Sequence, residues 1–478
     1  MYRIIIVFFI IYYCNQLQAQ SISSLETQGV VELECIQSST TNAFIACSME
    51  RISSTPNREQ TLIHRSIDNG ISWELVATIS PTSSEISIAD PVITQDEMGY
   101  LYLTVMRIYS WSPSPGTIDL ELYKSTDDGQ TWNYISSPFV YDGTFTPDYP
   151  QIISKGNGKL FLVYMKGGII NGIVTKMIFV KSSDGGVTWS NPHEFDFPST
   201  AFTPIGADIS WGIDESMHVT FGGGIESNIY YYTSTDEGDS WTTYASSSSQ
   251  TIGEITKPIS HPDFEYIGVL SHRPHINDSP ITYHSLIENE WSSFLLAEGA
   301  YAQGLITEDG IIHVTYNQQS GTNFTLNYVY SLDNGLSFSL PEVLYTASYT
   351  STELGEYQSI INSIDGNFYL TFCDWGDNSR AKILVFSPYT YLTTSEHKLG
   401  SFNVHPNPSS GIITVSIDTN TSTNSISLMN TEGKILDKIF LVDNPSNLNF
   451  DLSQLSKGTY LILLEENNRY LVKRIIKE

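Results

Sequence analysis

Three aspartates stand at the starts of short apolar segments and could supply carboxylate chemistry. Asp90 precedes Pro91–Met106, Asp148 precedes Gln151–Lys166, and Asp208 opens the segment 208–223. If these segments line one axis, the carboxylates could act as the paired acids of a glycosidase or hold a cation. The plainer alternative is that each side chain caps backbone N–H groups at the start of its strand.

Basic and aromatic residues occupy related positions. Arg51, Arg107 and Arg273 each follow the second strand of a predicted hairpin, and paired guanidinium N–H donors match the two oxygens of a carboxylate. Each arginine could equally pair with a surface acid. Trp111 and Trp375 could stack on sugar rings through their apolar faces, or pack a loop against a sheet.

A repeated motif indicates how these residues are positioned. The pattern Ser-x-Asp-x-Gly-x-(Ser/Thr)-Trp occurs four times, and a fifth copy ends in Phe338. We predict a tight turn in which Asp accepts backbone N–H bonds, Gly takes a positive φ, and the aromatic residue packs between neighbouring sheets. The aspartates are therefore expected to be structural rather than catalytic: Asp68, Asp127, Asp184, Asp236 and Asp333. The segment Ser285–Trp291 reads as a degraded sixth copy.

Seven predicted hairpins accompany the motif, at residues 34–49, 91–106, 151–166, 208–223, 258–272, 304–317 and 359–374. A hairpin, a third strand and a fourth strand after the motif turn make a four-stranded blade. The sequence thus predicts an all-β fold, a seven-bladed β-propeller with a six-bladed propeller as the alternative. The last unit ends near Lys382–Ser387 without a motif, so we expect it to be completed differently.

The motif resembles the Asp-box (BNR repeat) of sialidase-like propellers. The resemblance implies an arginine triad that clamps a sugar carboxylate, a tyrosine nucleophile with a supporting glutamate, and an acid/base aspartate. Candidates for the clamp are Arg51, Arg107 and Arg273, and Glu356 with Tyr357 offers the Tyr–Glu pair. Asp90, Asp148 and Asp208 are candidates for the acid.

One departure from that family affects the functional prediction. No Phe-Arg-Ile-Pro-type motif precedes the first repeat, where the chain reads Glu50-Arg51-Ile52-Ser53. We therefore predict a protein that recognises extracellular glycans or glycoproteins without intact sialidase chemistry. An exo-acting glycoside hydrolase and a structural or adhesive exoprotein are the alternatives.

Both ends of the chain carry targeting signals. The sequence predicts a cleaved signal peptide over residues 1–19, with the positive charge of Arg3, the apolar run Ile4–Tyr13 and the small residue Ala19. The apolar run is too short to serve as a transmembrane anchor, and the mature chain is expected to have none. After the propeller (residues 20–400), residues 401–478 predict a small β-sandwich. Its Pro-Asn-Pro, Gly-Lys and Lys-Gly-Thr-Tyr segments and basic last strand resemble the type A sorting domain of the type IX secretion system. That resemblance implies contact with the secretion machinery, export through the outer membrane, and release or surface attachment.

The net charge and the cysteines indicate which ligands and cross-links to expect. The net charge is −29, and residues 402–478 hold 7 bases and 8 acids, so the excess lies in the propeller and disfavours nucleic acid. Cys35 and Cys47 flank a hairpin and could form a disulfide or stay buried thiols. No Cys/His spacing suggests zinc. No cofactor is expected, and a structural cation such as calcium is left open.

Overall fold

A computed structural model of the chain is all β apart from one short 3-10 helix, Ile213–Glu215, in the residues that it describes. Those residues are 21–25, 29–54, 57–82, 86–110, 117–141, 143, 145–167, 176–195, 204–223, 228–244, 255–261, 267–272, 279–287, 290–320, 323–348, 359–374, 380–388, 402–417, 423–430, 434–440, 447–466 and 469–477. The chain divides into two compact units, residues 1–388 and 389–478.

The first compact unit consists of four-stranded antiparallel sheet modules in chain order. The first module consists of β2 (Val30–Gln37), β3 (Phe44–Ser54), β4 (Asn57–Ser66) and β5 (Glu74–Ile79). The second consists of β6 (Ser87–Gln95), β7 (Leu101–Ser110), β8 (Thr117–Ser125) and β9 (Asn133–Phe139). The third consists of β10 (Thr146–Lys155), β11 (Lys159–Gly167), β12 (Lys176–Ser182) and β13 (His193–Glu194). The fourth consists of β14 (Pro204–Trp211), β15 (Met217–Gly223), β16 (Asn228–Ser234) and β17 (Thr242–Tyr244).

The long strand β21 (Glu290–Ile306) is shared by two modules. It pairs with β20 (Ser279–Ile287) up to Gly299 and with β22 (Ile312–Ser320) from Ala300. The fifth module is β18 (Ile255–Ile259), β19 (Ile267–His272), β20 (Ser279–Ile287) and the first part of β21, and the sixth is the rest of β21, β22 (Ile312–Ser320), β23 (Asn323–Ser331) and β24 (Glu342–Ser348).

The seventh module contains strands from both ends of the first compact unit. Its order is β25 (Ser359–Asn362), β26 (Phe368–Asp374), β27 (Arg380–Phe386) and then β1 (Ser21–Ser24). Strand β1 pairs antiparallel with β27, and Leu25, which is fully buried, donates its N–H to the carbonyl of Ala381 at 3.0 Å. The expectation that the last unit is completed differently is confirmed, because its fourth strand comes from the N-terminal segment.

The first strand of each module contacts the first strands of the modules before and after it. We call these inner strands: β2, β6, β10, β14, β18, the second part of β21, and β25. The inner strand of the seventh module, β25, also contacts β2 of the first. All seven predicted hairpins are observed as the inner strand and its neighbour. We call the end where inner strands begin the mouth, and the end with the hairpin turns the turn end.

The five motif turns have one shared geometry at the turn end. In the second module, Ser125 donates to Oδ1 of Asp127 at 2.8 Å, and the Asp127 carboxylate accepts the N–H and hydroxyl of Thr131 at 2.8 and 2.6 Å. Gly129 has φ +80°, and a Cβ there would lie 3.0 Å from Ile45. The same Ser–Asp and Asp–Ser/Thr bonds recur in the other four turns.

The aromatic residue that ends each motif packs into an apolar cluster shared with the preceding module. Trp132 joins the cluster between the first and second modules, Trp241 that between the third and fourth, and Phe338 that between the fifth and sixth. Trp73 packs in the cluster of Tyr369 and Cys373, between the seventh and first modules. The aromatic position thus seals contacts between modules.

The degraded sixth copy lacks the Asp and Gly of the other five. In the strands that flank it, Ile287 pairs with Glu290. Trp291 is retained and meets the ring of Tyr231 edge-on, with centroids 5.9 Å apart. The packing role of the motif survives here without its Asp and Gly.

The second compact unit is a two-layer β structure. One sheet has the order β28 (Phe402–His405), β29 (Ile412–Ile417), β32 (Asn447–Asp451), and the other β31 (Ile435–Phe440), β30 (Thr423–Asn430), β33 (Gly458–Glu466), β34 (Arg469–Lys477). Buried residues from both sheets form one core, including Val415, Phe450, Leu428 and Ile462. A small sandwich, as expected from the sequence, is the result.

Candidate functional site

The inner strands carry a repeated bulge close to the mouth. In β6, β10 and β21 two residues oppose one on the next strand, and the first of each pair has a left-handed φ: Asp90 (48°), Tyr149 (47°) and Tyr301 (49°). Bulges bend a strand and redirect its side chains, and non-glycine residues hold a positive φ only where their surroundings fix it. The bulge therefore sets the direction of the strand starts at the mouth.

Carboxyl groups of three successive modules interact at this end, and we call Glu32, Asp90 and Asp148 the mouth cluster. The N–H of Asp90 donates to Oε2 of Glu32 at 3.1 Å. Burial raises the pKa of Asp90, an effect opposed by its side-chain hydrogen bond to Glu32 and increased by the charge of Glu59.

Asp148 is the member of the mouth cluster best suited to proton exchange. Burial, followed by the negative charge of Asp90, raises its pKa from 3.8 to about 7. A carboxyl group with this pKa is partly protonated near neutral pH, so it can both donate and accept a proton. The mouth cluster therefore has the chemistry of an acid/base pair as well as that of a hydrogen-bonding site.

Asp208, the third predicted acid, interacts with different partners deeper in the ring. It pairs in register with Thr220, and its Oδ2 lies 3.5 Å from Nζ of Lys257. Burial raises the pKa of Glu34 to about 7, with Lys257 lowering it and Asp208 raising it. Glu34 belongs to the first module, whereas Asp208 and Lys257 belong to the fourth and fifth. These side chains therefore act on one another electrostatically from separate modules, across the space that the inner strands border, which we call the channel.

The plainer interpretation of the aspartates is observed alongside these interactions. Oδ1 of Asp148 accepts the N–H of Tyr149 at 3.0 Å, and Oδ1 of Asp208 accepts the N–H of Ile209 at 2.7 Å. The three aspartates do not occupy equivalent places, because Asp90 and Asp148 lie at the bulge and Asp208 beyond it. The different position of Asp208 could not be predicted, because the sequence pattern indicates where a strand begins but not where its bulge lies.

Two of the predicted clamp arginines are held by carboxylates. Nη2 of Arg107 lies 2.8 Å from Glu121, with both side chains largely buried. Arg51 lies 3.8 Å from Glu59, and its side chain is 42% exposed. The resemblance to sialidases implied guanidinium groups aimed at a ligand carboxylate, and here each faces a carboxylate of its own module.

A Tyr–Glu pair that sequence reasoning missed lies beside Arg107. The hydroxyl of Tyr123 donates to Oε2 of Glu121 at 2.8 Å and accepts from Nη2 of Arg107 at 3.0 Å. Burial raises the pKa of Tyr123, whereas a tyrosine nucleophile needs activation by a base or a lowered pKa. Asp119, Glu121 and Tyr123 alternate along β8, where Asp119 pairs with Arg107, and this signal is readable only once the register is known.

Five predicted site residues lie outside the described residues: Arg273, Trp111, Trp375, Glu356 and Tyr357. Their proposed roles in clamping, stacking and nucleophilic attack stay predictions. The predicted signal peptide, residues 1–19, also lies outside.

The part of the chain that the structure describes has neither a grouped set of metal ligands nor a disulfide. There, no three His, Cys, Asp or Glu side chains are grouped so as to hold a metal ion. Cys35, Cys47 and Cys373 are buried free thiols, so the disulfide between Cys35 and Cys47 is not formed. Cys35 packs between the first and seventh modules and Cys47 between the first and second, which places them in different clusters.

The C-terminal unit is identified by a family match. Residues 403–478 match the family described as "Secretion system C-terminal sorting domain". In this unit the side chain of Asn407, from the Pro-Asn-Pro segment, accepts the N–H of Ile476 at 2.8 Å and donates to the carbonyl of Arg474 at 2.9 Å. The type IX sorting domain indicates export through the outer membrane, to the cell surface or the medium.

No curated protein matches the chain. Among solved structures, a fungal alcohol oxidase of the AA5 family in complex with copper is 12% identical with a TM-score of 0.53, covering 97% of this chain and 100% of that one. A PL25 ulvan lyase bound to a GlcA–Rha3S unit is 12% identical with a TM-score of 0.51, covering 76% and 95%. The intramolecular trans-sialidase of Ruminococcus gnavus is 13% identical with a TM-score of 0.42, covering 76% and 97%. At these identities the likeness concerns the fold, which is propeller-like.

Across the described part of the chain, no helix has the length and apolar character needed to span a membrane.

Proposed function

We propose that this exported protein is a closed, seven-bladed Asp-box propeller that recognises an extracellular glycan or glycoprotein at the mouth of its channel, without sialidase chemistry. Support for seven blades comes from the seven inner strands, the contact of β25 with β2, and the pairing of β1 with β27. The five repeat turns support the Asp-box assignment through their common hydrogen bonds. The carbohydrate-active enzymes among the similar folds are consistent with a glycan ligand.

The observation that carries the proposal is the polarity of the mouth. The two predicted clamp arginines that the structure describes are paired with Glu59 and Glu121, while Glu32, Asp90 and Asp148 present carboxyl groups. A sugar carboxylate would be repelled by this surface, whereas hydroxyl groups of a neutral sugar can donate to carboxylates. We therefore propose neutral glycans as the ligand class.

A second candidate function follows from the pKa of Asp148. A carboxylic acid with a pKa of about 7 beside a second carboxyl group is the arrangement of a glycoside hydrolase, in which the protonated acid assists the leaving group. The exo-acting hydrolase is therefore the alternative. An adhesive or structural exoprotein is the third candidate.

One experiment separates the three candidates. The mature full chain is assayed for sugar release from neutral and sialylated glycans, and for binding on a glycan array. The variant Asp148→Asn is compared with Asp239→Asn, a matched change at an exposed carboxylate that pairs with Lys181 at the turn end.

If the protein recognises glycans, we expect it to bind neutral glycans without turnover. Asp148→Asn should weaken this binding about tenfold or more, because a hydrogen bond to a charged group is lost. Sugar release abolished by Asp148→Asn would establish the hydrolase instead. Neither binding nor release would contradict both, and would leave the adhesive role.

A further inference from the structure

A cavity at the turn end of the channel is separate from the mouth cluster. It has a volume of about 420 Å³ and is bordered by inner strands of the first, sixth and seventh modules. Its polar lining consists of Glu34, Gln37, Gln303, Ser359 and Asn362. Ligand pockets typically measure about 300–1,000 Å³, so the cavity has room for a small molecule.

We propose that this cavity is a second ligand site, which binds one or two units of a neutral sugar from the end of the channel opposite the mouth. The proposal concerns different residues from those of the proposed function and does not depend on them.

The polar groups in the cavity match sugar hydroxyls. The amides of Gln303 and Asn362 each carry two N–H donors and a carbonyl acceptor, and a hydroxyl group both donates and accepts. Gln303 is half-buried and Asn362 exposed, so both can reach a ligand. Gln37 has a framework role, since its amide donates to the carbonyl of Asn42 at 3.3 Å and accepts the N–H of Ile364 at 3.2 Å.

A buried hydroxyl lies opposite Gln303 on the neighbouring strand. Thr315 pairs in register with Gln303, and directly paired residues of antiparallel strands project to the same face. Its Oγ1 is fully buried and has no hydrogen-bond partner. Buried polar groups are normally satisfied, and the buried hydroxyls of Thr104 and Thr220 in the second and fourth modules likewise have no partner, so this feature repeats in the fold.

The apolar and electrostatic surroundings select neutral sugars. Ile36, Ile360 and Ile361 line the cavity with aliphatic surface that suits the C–H faces of a pyranose ring. The lining contains no Lys or Arg, and its titratable carboxyl is Glu34, whose pKa burial raises to about 7. An acidic sugar would find no cation in the lining and, above neutral pH, would meet a carboxylate.

The experiment titrates the mature full chain with neutral monosaccharides and disaccharides (glucose, galactose, mannose, xylose, arabinose and their dimers) by saturation-transfer NMR and calorimetry, with glucuronate as the acidic comparison. The test variants are Gln303→Leu and Asn362→Leu. The matched control is Gln151→Leu, because Gln151 stands on the inner strand of the third module at the position that corresponds to Gln303 and does not line the cavity.

We expect at least one neutral sugar to bind, glucuronate to bind more weakly, and each test variant to weaken binding about three- to tenfold, as for the loss of neutral hydrogen bonds. Gln151→Leu is expected to leave this binding unchanged. Asp148→Asn weakens the mouth site, so the binding that remains in it is expected to be the part that Gln303→Leu and Asn362→Leu weaken. Equal binding by wild type and both test variants, or no binding of any neutral sugar, would overturn the proposal. Loss of binding in Asp148→Asn alone would overturn it as well, while supporting the mouth site.

Discussion

The main-chain N–H of Asp90 donates a hydrogen bond to Oε2 of Glu32 across 3.1 Å, joining the inner strands of the first two modules at the mouth. Asp90 holds a φ of 48° while doing so, and it also raises the pKa of Asp148 on the third module. One bulged residue thus couples carboxyl groups from three modules. The coupling explains why the mouth is both acidic and able to hold protons near neutral pH.

Asp148→Asn should stabilise the protein increasingly as the pH rises. Because the pKa of Asp148 is about 7 when folded against 3.8 for the free side chain, the folded state binds the extra proton between these values and loses relative stability as pH climbs through them. Asn carries no charge and escapes this loss. We expect little gain at pH 4 and a gain on the order of 4 kcal/mol at pH 8, measured by urea unfolding. Asp239→Asn is the control, and a gain independent of pH would contradict the assignment.

Buried histidines should make the fold sensitive to acid. His284 is fully buried between the hydroxyls of Ser271 and Ser293, at 3.0 and 2.8 Å, and burial lowers its pKa to about 4. The unfolded state therefore takes up a proton first, and stability is lost as pH falls from about 6.5 to 4. His284→Gln should remove on the order of 3 kcal/mol of this loss.

The readout for His284→Gln is the difference in unfolding free energy between pH 7 and pH 4.5. The same change at the exposed His405, in the C-terminal unit, serves as the control. If His284→Gln and wild type lose equal stability between these pH values, the buried neutral state of His284 is wrong.

Arg107→Leu should cost stability rather than ligand affinity. The change leaves Glu121 and the hydroxyl of Tyr123 without their cationic partner in a largely buried place, which typically costs about 3–5 kcal/mol. Arg51→Leu, with its exposed and longer ion pair, should cost less than about 1 kcal/mol. Unchanged stability of Arg107→Leu together with lost glycan binding would instead identify Arg107 as a ligand clamp.

Asp127→Ala should destabilise the second module without changing ligand binding. The substitution removes the acceptor for Ser125 and for both donors of Thr131, for an expected loss of about 1–3 kcal/mol. Asp127→Asn, which keeps an acceptor oxygen, should lose less. Urea midpoints and glycan binding are measured on the same samples, and reduced binding at unchanged stability would refute a purely structural turn.

Strand β1 should be essential for joining the first and last modules. Leu25→Ala removes a fully buried side chain from the cluster between them and should cost about 2–4 kcal/mol. Ile22→Ala, in the same segment but 45% exposed, should be nearly neutral. Hydrogen exchange in β27 should increase in Leu25→Ala, and unchanged exchange there would show that β1 does not hold the module together.

The repeated turns and the sorting domain could be predicted from local sequence patterns. Each Ser-x-Asp-x-Gly turn is local, since its Ser, Asp and Ser/Thr bond within eight residues, so the motif predicts its own geometry. The alternating strands of residues 402–478 likewise identify a sandwich before any contact is known. The absence of a motif in the last unit also predicted that this module is completed differently from the others.

Which charged groups interact depends on the tertiary structure. Register and bulge position place Asp208 beyond the mouth and pair Arg107 with Glu121, and neither follows from spacing along the chain. Asp208 and Lys257 shift the pKa of Glu34, although they stand on the fourth and fifth modules and Glu34 stands on the first. Long-range electrostatics and burial depend on how the modules pack, so local sequence patterns carry no record of them.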